Sequence, residues 1–156
     1  KIEFINYYNT IISKYNKIYL IANSIGAYFS LISLIDMPIE KAMLISPIID
    51  MESIILNIMK CENITEDKLM SEKEIETSFG ESLSWEYLGY VRKNTIHWDI
   101  PTNILFADND NMTSVDTMTN FANKINANLT TMKDGEHWFH TDEQMKFLAN
   151  WFKEMI

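Results

Sequence analysis

Short runs of hydrophobic residues alternate with segments of helical periodicity along much of the chain. Residues 2–15 carry Ile and Tyr at spacings of three and four, which predicts an amphipathic helix. Residues 17–22, Lys-Ile-Tyr-Leu-Ile-Ala, form a short apolar run that is typical of a buried strand. Residues 26–35 are apolar nearly all round and predict a buried helix, and residues 41–49 predict a second buried strand that runs into a loop at Pro47.

The same alternation returns in the last third of the chain. Residues 102–107 predict a third buried strand, residues 114–125 an amphipathic helix and residues 128–132 a fourth, shorter strand. Thr141 is predicted to cap a final helix, with Gln144 as its capping-box partner. Because strands alternate with helices, the predicted fold class is α/β, a parallel sheet with helices on both faces.

Residues 51–98 interrupt this alternation. Helical segments are predicted at residues 51–59, 72–76 and 85–93, and no strand is expected between them. The stretch therefore predicts a helical insertion between two strands of one domain, residues 1–156.

Composition narrows the possible functions. The net charge of −9 argues against a general nucleic-acid binder, which needs a basic surface. The single cysteine, Cys61, excludes an internal disulfide framework and a cysteine-based zinc cluster.

A membrane-spanning segment is also disfavoured. Residues 18–35 contain no charge, but Asn23, Ser24 and Gly26 interrupt them, and a strand followed by a buried helix fits better. The first residues carry no cleavage-site pattern of a signal peptide. We therefore expect a soluble, cytoplasmic protein.

Function in a parallel sheet is expected at the carboxyl ends of the strands. After the first strand comes Ala-Asn-Ser-Ile-Gly, residues 22–26, which fits the nucleophile-elbow pattern G-x-S-x-G with Ala in the first place. In this pattern Ser24 stands on a sharp strand-to-helix turn, and the small Ala22 and Gly26 let the helix approach the strand. Alternatively, Ser24 only caps the helix.

Candidate acids and bases follow the third and fourth strands. Asp108 and Asp110 come directly after the third strand, where a carboxylate can orient a histidine, or can instead form a turn or cap the next helix. His137 follows the fourth strand and is suited to accept a proton from a serine. His140 is interpreted as a solvated loop residue and His97 as structural.

The order Ser24, Asp110, His137 and the segments 18–27, 104–111 and 135–141 together resemble the α/β-hydrolase superfamily. The resemblance implies Asp110 as the acid, from a G-x-x-D pattern with Ala in place of Gly, and Asp108 as its alternative. It implies His137 from a Gly-x-His turn. It also implies that residues 51–98 form the cap, or lid, of that fold.

The resemblance further implies a serine hydrolase acting on a small ester or related acyl substrate, without metal or organic cofactor. Ser24 is the expected nucleophile, and the N–H of Ile25 is expected to stabilise the oxyanion. The alternatives are a non-catalytic binding module of the same fold and an acyltransferase or thioesterase on the same three residues.

A complete α/β-hydrolase has several strands before its nucleophile, whereas Ser24 stands near the start of this sequence. We therefore expect the chain to be the C-terminal part of such a domain. The expected partners are a small acyl substrate and either a second copy or the N-terminal half, paired along the exposed edge of the first strand.

Overall fold

A computed structural model describes residues 1–155. In chain order its elements are α1 (Ile2–Ile12), β1 (Tyr19–Asn23), α2 (Ser24–Ser33), β2 (Lys41–Ile45), α3 (Met51–Cys61), α4 (Glu66–Glu72), β3 (Glu74–Glu76), β4 (Ser82–Ser84), α5 (Trp85–Lys93), β5 (Thr102–Ala107), α6 (Val115–Lys124), β6 (Asn128–Met132) and α7 (Asp142–Met155). They form two compact units, one of residues 1–49 and 96–156 and one of residues 50–95.

A four-stranded parallel sheet in the order β1-β2-β5-β6 organises the larger unit. All six residues of β5 are buried, as expected for a strand with neighbours on both sides and cover on both faces. On one face of the sheet, Leu105 and Ala107 of β5 pack with Phe139 and with apolar residues of α7, including the buried Trp151. The predicted α/β fold class with a parallel sheet is therefore confirmed.

The strand β2 is shorter than predicted. It ends at Ile45 because Ser46 takes a left-handed backbone conformation, with φ of 38°, and Pro47 has no N–H to donate to a ladder. The chain therefore leaves the sheet just before the loop that the sequence predicts at Pro47, and residues 46–49 lie outside the strand.

The strand β1 lies at the edge of the sheet and pairs only with β2 among the described strands. Tyr19 and Ile21 are each about half exposed, although the partner of Ile21 in the register, Met43, is buried. The edge strand thus has the apolar composition of an interior strand but lacks the cover that β2 receives.

The smaller unit contains α3, α4 and α5 and a two-stranded antiparallel sheet of β3 and β4. The expectation of no strand here is wrong, and so is the helix at residues 72–76. Lys73 takes a left-handed conformation that ends α4, and the alternation Glu-Ile-Glu then places Ile75 opposite the buried Leu83. This period of two is the signature of a strand, but it covers only three residues.

The helices of the smaller unit are joined by an ion-pair network around Arg92. Its guanidinium donates to Glu52 at the start of α3 and makes a two-pronged contact with Glu66 at the start of α4. Hydrogen bonds from Arg92 lower the pKa of Glu66 below its usual value. Bidentate pairing of this kind fixes the relative orientation of the side chains.

The start of α7 follows the predicted cap in part. The Gln144 N–H donates to the Thr141 hydroxyl, as expected, but the Gln144 side chain accepts from the N–H of His140 rather than from that of Thr141. Within residues 1–155, none of the helices has both the length and the apolar character that a membrane crossing requires.

Candidate active site

Ser24 stands at the junction of β1 and α2 in a strained conformation. Its φ is 50°, in the left-handed region that residues with a side chain seldom adopt, while the preceding Asn23 is extended. The N–H of Ile48, from the segment after β2, donates to the Ser24 carbonyl over 3.0 Å and helps to hold the turn. This is the sharp strand-to-helix turn that a nucleophile elbow requires.

A chain of two hydrogen bonds joins the three residues that the strand ends predict. Ser24 Oγ lies 2.8 Å from His137 Nε2, and His137 Nδ1 lies 2.7 Å from Asp110 Oδ2. The side chains of His137 and Asp110 are 1% and 0% exposed, so the hydrogen bond between them is shielded from water. The structure thus brings together side chains from the ends of β1, β5 and β6.

Asp110 is held as a carboxylate by several donors. Burial raises the pKa of this carboxyl, but hydrogen bonds from His137 and from the N–H groups of Met112 and Thr113 outweigh burial, and the pKa lies below its usual value. An ionised acceptor at Nδ1 places the proton of a neutral His137 on that nitrogen. Nε2 is then free to accept the proton of the Ser24 hydroxyl.

The amides of Met112 and Thr113 were not among the predicted site residues. A signal for them exists, because Asp side chains often bond the backbone two residues further on. From the sequence alone, the turn-forming role and the histidine-orienting role of this carboxylate are alternatives. Asp110 combines them, using one carboxylate oxygen for each.

Asp108, the alternative acid, occupies a different position. Its N–H donates to the Met132 carbonyl, and its Oδ1 is buried with no hydrogen-bond partner among the described residues. Of the two acids, Asp110 is the one bonded to His137.

Backbone hydrogen bonds join the loop that carries Asp110 to the loop that carries His137. The N–H of Asn109 donates to the Gly135 carbonyl over 3.0 Å, and the N–H of Asp108 donates to the Met132 carbonyl over 3.2 Å. A Cβ added at Gly135 would lie 3.2 Å from side-chain atoms of both Ala107 and Met132. Glycine at this place therefore lets the two loops approach closely.

Gly26 departs from its expected role. A Cβ added at Gly26 would meet nothing within 4 Å, so close approach of α2 to the strand does not require a glycine in the described structure. Ala22, the other small residue of the elbow pattern, is buried. The expectation that a small residue is needed at position 26 for the helix to approach the strand is therefore wrong for the described structure. A Cβ at this position would point into open space.

Ile25 supplies the amide that follows Ser24. Its N–H lies in the first turn of α2, where amides have no acceptor within the helix and the helix dipole is positive. These properties suit an amide to stabilise a developing negative charge beside Ser24 Oγ.

The remaining histidines lie elsewhere on the surface. His140 Nδ1 is 3.3 Å from Glu136 Oε2, and both side chains are more than half exposed. His97 is exposed in the segment between α5 and β5. Within residues 1–155, no group of three His, Cys, Asp or Glu side chains is arranged to hold a metal ion.

The fold and the site together define a parallel α/β protein with a buried Ser-His-Asp hydrogen-bond chain at the carboxyl ends of its strands. No family model matches the sequence, and no curated protein matches it. Solved structures do match the fold. The esterase Est1E from Butyrivibrio proteoclasticus, solved with ferulic acid, has a TM-score of 0.70 at 17% identity, over 97% of this chain and 64% of that protein.

Two further structures give the same result. The mouse alpha/beta hydrolase domain-containing protein 10 has a TM-score of 0.70 at 11% identity, over 97% of this chain and 67% of that protein. The esterase domain of a Rhodothermus marinus protein has a TM-score of 0.64 at 9% identity, over 92% of this chain and 62% of that domain's chain. The chain therefore has the α/β-hydrolase fold and spans roughly two thirds of the length of these proteins.

Proposed function

We propose that this protein is a serine hydrolase that cleaves a small ester or related acyl substrate. The observation that carries the proposal is the continuous hydrogen-bond chain from Ser24 through His137 to Asp110, with both bonds under 3 Å. A serine on a strained elbow next to a histidine base with an orienting carboxylate is the arrangement used for acyl transfer on several unrelated folds.

In the proposed reaction, His137 Nε2 takes the proton of Ser24 as Oγ attacks the acyl carbonyl. The N–H of Ile25 stabilises the oxyanion, and Asp110 stabilises the imidazolium. When the carbon–oxygen bond to the alcohol breaks, His137 returns the proton to the leaving oxygen. Water, activated by the same nitrogen, then hydrolyses the acyl-enzyme and releases the carboxylic acid.

The structural neighbours support esters as the substrate class. Est1E and the Rhodothermus marinus domain are both esterases by name, although their identity to this chain is 17% and 9%. Such identities transfer the fold alone, so the chemistry rests on the side chains of this chain.

A fluorophosphonate probe tests the proposal directly, since it phosphonylates an activated serine. We expect the full-length protein to become labelled on Ser24 and to hydrolyse short acyl esters. Ser30, whose hydroxyl donates to the Gly26 carbonyl within α2, is a matched control, and Ser30→Ala should label normally.

Three outcomes count against the proposal. Folded full-length protein that does not label would indicate a non-catalytic binding module. A Ser24→Ala variant that keeps esterase activity would show that the nucleophile is another residue. Acyl transfer to an added alcohol or thiol in preference to water would indicate an acyltransferase.

We propose that the smaller unit, residues 50–95, acts as the cap of this fold and restricts which esters reach Ser24. It is inserted in the chain between β2 and β5, two neighbouring strands of the sheet. Replacing residues 52–93 by a short Gly/Ser linker should leave fluorophosphonate labelling in place and reduce discrimination between short and long acyl esters. Unchanged discrimination would contradict a cap.

We also propose that the free edge of β1 pairs with a further strand, from a second copy or from an N-terminal half of the same domain. The exposed apolar side chains of Tyr19 and Ile21 support this. We expect the 156-residue chain to self-associate in sedimentation velocity. A monodisperse monomer whose β1 amides are protected from hydrogen exchange would contradict the proposal.

A further inference from the structure

Exposed apolar side chains follow closely in sequence the strand ends that carry the proposed active site. Twelve large hydrophobic residues are exposed among the described residues, and six of them lie within five positions of Ser24, Asp110 or His137. Tyr19 and Ile21 belong to β1, and the other four follow the carboxyl ends of the strands. We call these four the apolar rim: Ile25, Met112, Val115 and Trp138. Scattered exposed hydrophobic residues are ordinary, but a group that follows the carboxyl ends of the three strands before the reacting side chains indicates a surface for an apolar ligand.

Trp138 is the largest member of the apolar rim and directly follows the base. Its indole is 69% exposed, whereas the neighbouring His137 is 2% exposed. The two rings meet edge to face, with centroids 5.1 Å apart at an interplanar angle of 84°. The indole therefore already contacts the imidazole through one part of its surface and keeps most of its area available for another molecule.

The reaction geometry decides which part of a substrate the indole of Trp138 contacts. In ester cleavage the base returns its proton to the oxygen of the departing alcohol, so that oxygen must come within hydrogen-bond distance of His137 Nε2. The alcohol therefore lies on the His137 side, and the carbonyl oxygen lies by the Ile25 amide. The indole next to His137 is placed to contact the alcohol rather than the carbonyl oxygen.

We propose that Trp138 is a specificity-determining residue that binds the leaving alcohol and selects aromatic or bulky apolar alcohols over small ones. This inference rests on the proposed hydrolase function. Burying an exposed indole against an aromatic group supplies binding energy that a methyl group cannot match.

The test varies the alcohol while the acyl group stays fixed. Benzyl acetate and methyl acetate suit this purpose, because their alcohols are of similar acidity and differ mainly in apolar area. In the full-length protein, Trp138→Ala should lower kcat/KM for benzyl acetate by about tenfold, mainly through KM, and leave methyl acetate within about twofold. Trp138→Phe should restore part of the preference. Tyr15→Ala, which removes another exposed aromatic side chain, should change neither substrate.

The labelling rate with a small alkyl fluorophosphonate separates this inference from the proposed function. Wild-type protein that neither labels nor cleaves either ester overturns the function itself. If wild-type protein labels, two results overturn the role of Trp138 alone. The first is an equal loss for both esters with slower labelling, which would show that the indole only positions His137. The second is an unchanged benzyl preference in Trp138→Ala.

Discussion

The carboxyl ends of the strands and the free edge of β1 differ in how far their side chains have partners within the chain. At the carboxyl ends, the buried side chains of Asp110 and His137 have hydrogen-bond partners from neighbouring loops. At the edge, Tyr19 and Ile21 of β1 expose apolar surface, and β1 pairs with one described strand only. The hydrogen-bond chain from Ser24 to Asp110 is therefore formed by residues of this chain, whereas the sheet has an open, apolar side along β1.

An apolar groove beside β1 shows how extensive this open side is. The groove has a volume of about 430 Å³ and is lined by residues of α1, β1 and α2, among them Phe4, Tyr7, Ile11, Ile21 and Leu34. Apolar surface of this kind favours association. Substitutions at the carboxyl ends should consequently change chemistry, and substitutions at the edge should change association and stability.

Ser24→Ala should have the largest effect. Removing the nucleophile should lower kcat by on the order of 10⁴ to 10⁶ and abolish fluorophosphonate labelling, as for other members of such triads. Sedimentation should be unchanged, since Ser24 is not part of the β1 edge surface. A change in association along with activity would show that the two regions are coupled.

Asp110→Asn should cause the next largest decrease in activity. Because the carboxylate orients His137, the amide should lower kcat by about 10⁴ while KM changes little. Steady-state kinetics with a short ester measures this. Asp108→Asn is the matched control and should keep most of the activity.

Asp110→Asn should also change how the free energy of unfolding depends on pH. The pKa of Asp110 is lowered in the folded state, so its ionised form contributes stability above the pKa of an unfolded aspartate, about 3.9. This contribution is lost as the pH falls through the lower folded-state pKa. Denaturant titrations of wild type and Asp110→Asn should therefore differ at pH 7 and converge in strong acid. A constant difference would contradict the lowered pKa.

Gly135→Val should have an intermediate effect on the site. Its side chain would press on Ala107 and Met132 where the two loops meet. We expect a loss of about 1–3 kcal/mol in the free energy of unfolding and a decrease in kcat of about 10²-fold, because His137 shifts relative to Ser24. Full activity would show that the loops adjust independently of the hydrogen-bond chain.

Ile21→Lys tests the edge without touching the site. A charge on an edge strand opposes pairing with another chain. We expect weaker self-association of the 156-residue chain in sedimentation velocity, with the monomer fraction rising. Association that is as strong as in wild type would place the contact elsewhere. Met145→Lys, an exposed residue of α7, is the matched control.

Gly26→Ala should have the smallest effect on stability, and whether it stabilises or destabilises is informative. Alanine is favoured over glycine in a helix by about 1 kcal/mol, and the described structure leaves room for a Cβ. The 156-residue chain should therefore be stabilised slightly in thermal unfolding. Destabilisation by this change would show that a Cβ at this position meets another group beside α2.

Much of the site is predictable from the sequence because each member follows a predicted strand, although the strand before His137, Asn-Leu-Thr-Thr-Met, is less apolar than the others. Ser24, Asp110 and His137 each come within a few residues of a strand end, and parallel strands bring their carboxyl ends to one edge. The bounds of β5 and β6 agree with the predicted ranges.

Features that depend on a few residues or on neighbours were not predictable. The hairpin of β3 and β4 has three residues in each strand, too few for an alternating pattern to stand out. The end of α4 depends on a left-handed Lys73, a conformation that its residue type disfavours. The open space at Gly26 depends on what lies next to α2, which no local pattern contains.

The separations along the chain suggest the order in which the site assembles during folding. Asp110 and His137 are 27 residues apart, whereas Ser24 and His137 are 113 residues apart. Closing the longer loop costs about 1.3 kcal/mol more chain entropy. We therefore expect the acid–base pair to form first and the serine to join it late. A partly folded chain would then hold an oriented base without its nucleophile, so reactivity toward fluorophosphonate should appear only in the last phase of refolding.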